Sequence, residues 1–119
     1  MIENTIPILN VSDMAVSLVF YADILGFATD WQAEADEDKH AGISRDGCPL
    51  YLCQGSQGTR GSWIWLGVED ESFIEQVVSS GAVIVQAPTN YPWAYELRIQ
   101  DPDGNVIRIG TEPREMVGR

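Results

Sequence analysis

IPILNVSDMAVSLVFYADILGF, residues 6–27, contains the pattern on which the whole chain is built. Residues 5–11 read as a strand. Ser12 or Asp13 then stands where a helix N-cap is needed, because either side chain can accept a hydrogen bond from an otherwise unpaired N–H of the first turn. Leu18, Tyr21, Ala22 and Leu25 fall at i, i+3, i+4 and i+7, one face of an α-helix, and Val16, Phe20 and Ile24 widen that face. Gly26 closes the helix, since a left-handed residue there costs glycine least. Three strand candidates follow, at 27–32, 40–46 and 49–54. Between the last two, Asp46-Gly47 is a strong signal for a two-residue hairpin turn.

Outward from this unit the plan repeats. The segment QGSQGTRG, residues 54–61, is rich in glycine and polar residues and reads as a surface connection. Beyond it, residues 62–68 read as a strand and Asp70 as a possible cap. Phe73, Ile74, Val77 and Val78 form a second helical stripe, closed by Gly81. Further strands are expected at 82–86, 93–100 and 105–111, the last two joined by the turn Asp101-Pro102-Asp103-Gly104. Each half thus reads strand, helix, strand, strand, strand. The expected organisation is one domain over residues 1–119: a first module at about 1–54, a linker at 55–61, a second module at about 62–112 and a tail at 113–119.

Composition narrows the function classes. The chain has 119 residues with an apolar share of 45%, suited to one compact domain. Eighteen acidic residues against seven basic ones leave a formal charge of -11, which repels phosphate backbones and anionic membranes. Neither nucleic acid nor a membrane is an expected partner. No stretch approaches the roughly 20 apolar residues of a membrane helix, and the first residues lack a secretory pattern. Cys48 and Cys53 are separated by an odd number of residues on a strand, so they face opposite ways and are expected to stay unpaired. That pattern suits a cytoplasmic location.

Two stretches carry a resemblance. Residues 6–27 resemble the opening strand and helix of the vicinal-oxygen-chelate superfamily, which includes the glyoxalases, bleomycin-resistance proteins and extradiol dioxygenases. YPWAYELRIQDPDGNVIRIG, residues 91–110, is similar to the closing hairpin of its bleomycin-resistance branch, where a tryptophan, a glutamate and a DPDGN turn occur in this order. The resemblance covers residues 6 to about 112. It implies an α+β fold of two βαβββ modules, whose curved mixed sheets form a cup with the helices on the outer face. It also implies a homodimer, with ligand or metal held inside the cup.

Metal-dependent relatives place His, Gln or Glu on inward-facing strand positions. The resemblance puts Ile6, Pro49 or Tyr51, Trp63 and Arg108 at those places. None is a normal metal ligand, and an arginine there opposes a cation. The lone histidine, His40, follows the acidic run 34–38 and reads as a surface residue at a strand entrance; the carboxylates around it read as a solvated loop in preference to a Ca²⁺ site. No metal and no cofactor are expected.

Strand alternation in the family register turns Trp63, Trp65 and Gly67 into the cup, with Ile64, Leu66 and Val68 against the helix. The same alternation turns inward Tyr51 and Cys53, then Glu96 and Arg98, then Val106 and Arg108. The expected ligand-binding residues are therefore Tyr51, Trp63, Trp65, Trp93, Glu96, Arg98 and Arg108, an apolar wall with a few charges, as small-molecule sites usually are. Each has a plainer reading beside it. The two strand tryptophans could be core or dimer contacts, Glu96 could simply neutralise an arginine, and Trp93 could pin its loop to the sheet. No catalytic residue is assigned. The functional expectation is a metal-free binding protein that sequesters a planar or cationic compound, as bleomycin-resistance relatives sequester their drug. The alternative is a metal-independent enzyme with Glu96 as base beside Arg98 or Arg108, and Cys53 as a remote nucleophile candidate.

Overall fold

The computed structural model describes residues 1–115 and divides into two units, Met1–Ser62 with Pro102–Gly104, and Trp63–Asp101 with the chain from Asn105 on. The first unit contains β1 (Ile8–Asn10), α1 (Met14–Asp23), β2 (Ala28–Ala35), β3 (Asp38–Arg45) and β4 (Cys48–Gln54). Its sheet has the order β1-β4-β3-β2, with β1 parallel to β4 and the other neighbours antiparallel. The second contains β5 (Trp63–Gly67), α2 (Glu71–Val78), β6 (Val83–Asn90), β7 (Tyr95–Gln100) and β8 (Val106–Thr111). Its order is β5-β8-β7-β6, with β5 parallel to β8. Two βαβββ modules of α+β class are thus present, as the doubled pattern implies.

Local chemistry explains the boundaries. Asp13 caps α1 by accepting from Val16 N at 3.1 Å, and Asp70 caps α2 by accepting from Ser72 N at 2.8 Å. Gly26, at φ +73°, ends the first helix: its N–H donates to Ala22 O, and the N–H of Phe27 donates to Tyr21 O. This paired closure also brings Phe27 edge-on against Tyr21. Asp46 and Gly47 both have positive φ, so the β3–β4 hairpin has the backbone twist that suits a two-residue turn. Strand β1 is shorter than residues 5–11 because Pro7 has no N–H to donate, although its carbonyl accepts from Tyr51 N.

Beneath α1 lie Leu9, Ala41, Ile43, Leu50 and Leu52, all buried. Each Leu or Ile contributes about 1.5–3 kcal/mol by leaving water. The helix turns Met14, Ser17 and Tyr21 toward that core, and Leu25, just past its end, is buried as well. Val16 and Ala22, which the periodicity assigns to the buried face, are exposed. Tyr21 is the largest buried side chain, and centring the helix on it swings Val16 and Ala22 to the flanks. In the second unit Ile74 and Val77 cover Leu97, Ile99, Ile107 and Ile109, while Val78 is partly exposed.

Two further expectations change. The acidic run 34–38 is not a loop: β2 runs to Ala35, β3 starts at Asp38, and only Asp36 and Glu37 turn, with Asp36 at φ +57°. Residues 88–90 belong to β6, which runs beyond the expected 82–86. Pro88 is tolerated because β6 is an edge strand with irregular register around it. The linker is exposed, but it is also held: Asn10 Nδ2 donates to Gly55 O at 2.8 Å and to Gln57 O at 3.0 Å. Of the tail, Arg114 pairs with Glu71 and lies 3.9 Å over the Tyr95 ring; residues 116–119 lie outside the described residues.

Candidate functional site

In the second unit, alternation along β5, β7 and β8 sends one set of side chains to the face turned away from α2. Register then aligns them across strands, with Trp65 opposite Arg108, Arg108 opposite Arg98, and Gly110 opposite Glu96. Glu96 is fully buried and sits at the centre. Its carboxylate accepts from Arg108 Nε at 2.8 Å and Nη2 at 2.9 Å, from Trp93 Nε1 at 3.0 Å, and from Arg98 Nε at 3.4 Å. The Arg108 hydrogen bonds above all, helped by those of Trp93 and Arg98, outweigh the opposing effect of burial and hold the Glu96 pKa at about 2. Arg108 is pushed up by the same pair.

The guanidiniums in turn stack on rings. Arg108 lies 5.1 Å from the Trp65 ring centre, and Arg98 lies 5.7 Å from Trp63 and 5.6 Å from Tyr91. The Trp65 indole spreads across Gly110, where an added Cβ would meet the ring, with Cζ3 at 2.8 Å. Glycine at 110 is therefore what lets the indole lie flat on the sheet. Trp93 stacks on Tyr91 at 4.6 Å with planes 8° apart, and its N–H ties the loop to Glu96. The loop-pinning reading of Trp93 thus holds, and so does the neutralising reading of Glu96. Even so, Trp63, Trp65 and Trp93 remain 58%, 47% and 60% exposed.

Six of the seven expected residues come together here: Trp63, Trp65, Trp93, Glu96, Arg98 and Arg108. Tyr51 belongs to the first unit, where it meets Trp31 edge-on at 5.1 Å, with Trp31 lying over Gly42. Tyr91, which was not among the expected residues, also lies at this face. Tyr91 joins because Gln86 donates to its hydroxyl and Trp93 stacks on its ring.

The family's metal positions do not fit a metal. Register sets Ile8 opposite Tyr51 and Trp65 opposite Arg108, which adds Ile8 and Trp65 to the Ile6 and Trp63 that the resemblance singles out. Neither set offers an imidazole, a carboxylate or a thiol, and the nearby Glu96 carboxylate is already engaged by three side chains.

His40 is not the isolated surface residue that its sequence context suggests. It is half-buried and lies opposite Cys53, with Asp38 two residues before it on the same face. The ligand atoms of Asp38, His40 and Cys53 all lie within 4.8 Å of one another. The hairpin signal contains this pairing: counting outward from Asp46-Gly47 sets His40 against Cys53.

Comparison with known proteins agrees with the fold. The family model of the Glyoxalase/Bleomycin resistance protein/Dioxygenase superfamily matches residues 4–109. No curated protein matches the chain significantly. Among solved structures, TnmS3, an antibiotic binding protein from Streptomyces sp. CB03234, superposes with a TM-score of 0.79 at 19% identity, covering 94% of this chain and 97% of that one. A glyoxylase/bleomycin resistance protein/dioxygenase domain from Frankia sp. EAN1pec gives 0.80 at 16% identity, covering 100% and 96%. Virulence protein STM3117 from Salmonella typhimurium gives 0.74 at 21% identity, covering 94% and 98%. At these identities the likeness is one of fold.

Proposed function

This chain belongs to the Glyoxalase/Bleomycin resistance protein/Dioxygenase superfamily, and on that premise we propose that it binds and sequesters a flat, aromatic small molecule on the indole and guanidinium face of its second unit. The observation that carries the reading is the exposure of Trp63, Trp65 and Trp93 (58%, 47% and 60%) beside Arg98 and Arg108, both oriented by one buried carboxylate. Indole faces give stacking area at little entropic cost, and an arginine held in place loses little freedom on binding. Two guanidiniums against one carboxylate leave a positive surplus. Of the planar and cationic ligands that the sequence suggests, this face favours the planar one, with an anionic or neutral acceptor group. The antibiotic-binding TnmS3 is a fold relative and lends the reading analogy only.

A metal-independent enzyme is less well supported. A carboxylate with a pKa of about 2 is a feeble base at neutral pH, and Cys53, the remote nucleophile candidate, is fully buried. The rival occupant of the aromatic face is a second copy of the chain, consistent with the homodimer that the resemblance implies. We take the cytosol as its compartment, in keeping with two free thiols.

The test is a thermal-shift and tryptophan-fluorescence titration with planar carboxylates, planar cations and neutral polycyclic aromatics, repeated over a range of protein concentrations. A ligand at 100 times its dissociation constant stabilises the fold by about 2.7 kcal/mol. Quenching by a planar compound that is lost in Trp65→Ala and Arg98→Ala supports sequestration. Fluorescence that depends on protein concentration and responds to no compound assigns the face to a dimer contact instead.

A further inference from the structure

The register of one hairpin in the first unit brings together three side chains that the proposed function does not use. Asp38 and His40 alternate onto the same face of β3, and Cys53 on β4 lies directly opposite His40. We propose that Asp38, His40 and Cys53 form a three-ligand site for Zn²⁺, separate from the aromatic face and on strand positions other than those the family resemblance singles out.

The donors suit the ion. Thiolate, imidazole and carboxylate together match a borderline-soft metal, and three protein ligands leave a fourth position for water or another donor. Bonds of about 2.0–2.3 Å in a tetrahedron set the ligand atoms roughly 3.3–3.8 Å apart. Spacings of at most 4.8 Å close to that by small side-chain rotations, with no movement of the strands. The carboxylate is already oriented: Ser56 N and Oγ both donate to Asp38. Asp38 and His40 are each 21% exposed, so an ion has a path inward, while Cys53 closes the inner side. Binding transfers the Cys53 thiol proton to solvent. The resulting Zn²⁺, thiolate, carboxylate and neutral imidazole sum to zero charge, which suits a partly buried position.

Cobalt(II) is the spectroscopic probe, added to chelator-treated full-length protein and competed with Zn²⁺. The expected result is one ion per chain and a thiolate-to-cobalt charge-transfer band in the near ultraviolet, erased by Zn²⁺. The band persists in Cys48→Ser and disappears in Cys53→Ala. Because Cys53 is buried and its variant could misfold, the half-buried His40→Ala and Asp38→Asn provide a second test. Each weakens cobalt binding more than about tenfold with circular dichroism unchanged. No charge-transfer band in the wild type, a band lost in Cys48→Ser instead, or affinity unmoved in folded His40→Ala overturns the site.

Discussion

Replacing Glu96 by Gln removes the charge at the centre of the aromatic face and keeps its volume. The wild-type carboxylate is fully buried and accepts from Arg108 twice, from Trp93 and from Arg98. Its pKa falls from 4.5 to about 2, a difference worth about 3 kcal/mol between the ionised and neutral forms. Breaking a buried ion pair by removing one partner costs about 3–5 kcal/mol. Here Arg98 and Arg108 are 22% and 31% exposed and recover part of their hydration. The expected loss is therefore about 2–3 kcal/mol, or about 10 °C in Tm for a domain of this size. The pH dependence follows from the lowered pKa. The carboxylate's stabilisation is fully present above its ordinary value of 4.5 and is lost as pH falls through about 2. Glutamine does not titrate, so the gap between the two proteins is constant near neutrality and closes in acid. Urea denaturation followed by far-ultraviolet circular dichroism, from neutral pH to about pH 3, measures both effects. A gap below about 1 kcal/mol at neutral pH, or one that stays unchanged in acid, refutes the account of Glu96 as the charge that organises this face.

Two further perturbations probe the scaffold. Gly110→Ala puts a methyl group into the Trp65 indole, whose Cζ3 would be 2.8 Å away, and should lift that ring at a cost of about 1–3 kcal/mol. An unaltered near-ultraviolet circular dichroism spectrum would contradict it. Asn10→Ala removes both hydrogen bonds to the linker carbonyls of Gly55 and Gln57, and the one that Arg60 Nε donates to Asn10 Oδ1 at 3.2 Å. Trypsin should then cut after Arg60 several times faster at unchanged global stability, and an unchanged cleavage rate would mean that Asn10 does not hold the loop.

Local chemistry was enough to read the elements. Helix caps at Asp13 and Asp70, the glycine closure at Gly26 and the Asp46-Gly47 turn each depend on a few neighbouring residues, so they are visible in the chain itself. Strand parity is equally local, which is why Trp63, Trp65, Glu96, Arg98 and Arg108 could be assigned to one face in advance. The rotation of α1 was not local. Val16 and Tyr21 compete for the core on hydrophobicity alone, and only packing against the sheet favours Tyr21. Partner choice within the face was likewise decided in three dimensions. Two arginines and an indole all reach Glu96, because register sets the β8 arginine opposite the β7 arginine and a loop brings the Trp93 N–H to the same carboxylate. The Asp38, His40 and Cys53 group belongs to the same class. Its members look unrelated along the chain, and a hydrogen-bond ladder between β3 and β4 makes them neighbours.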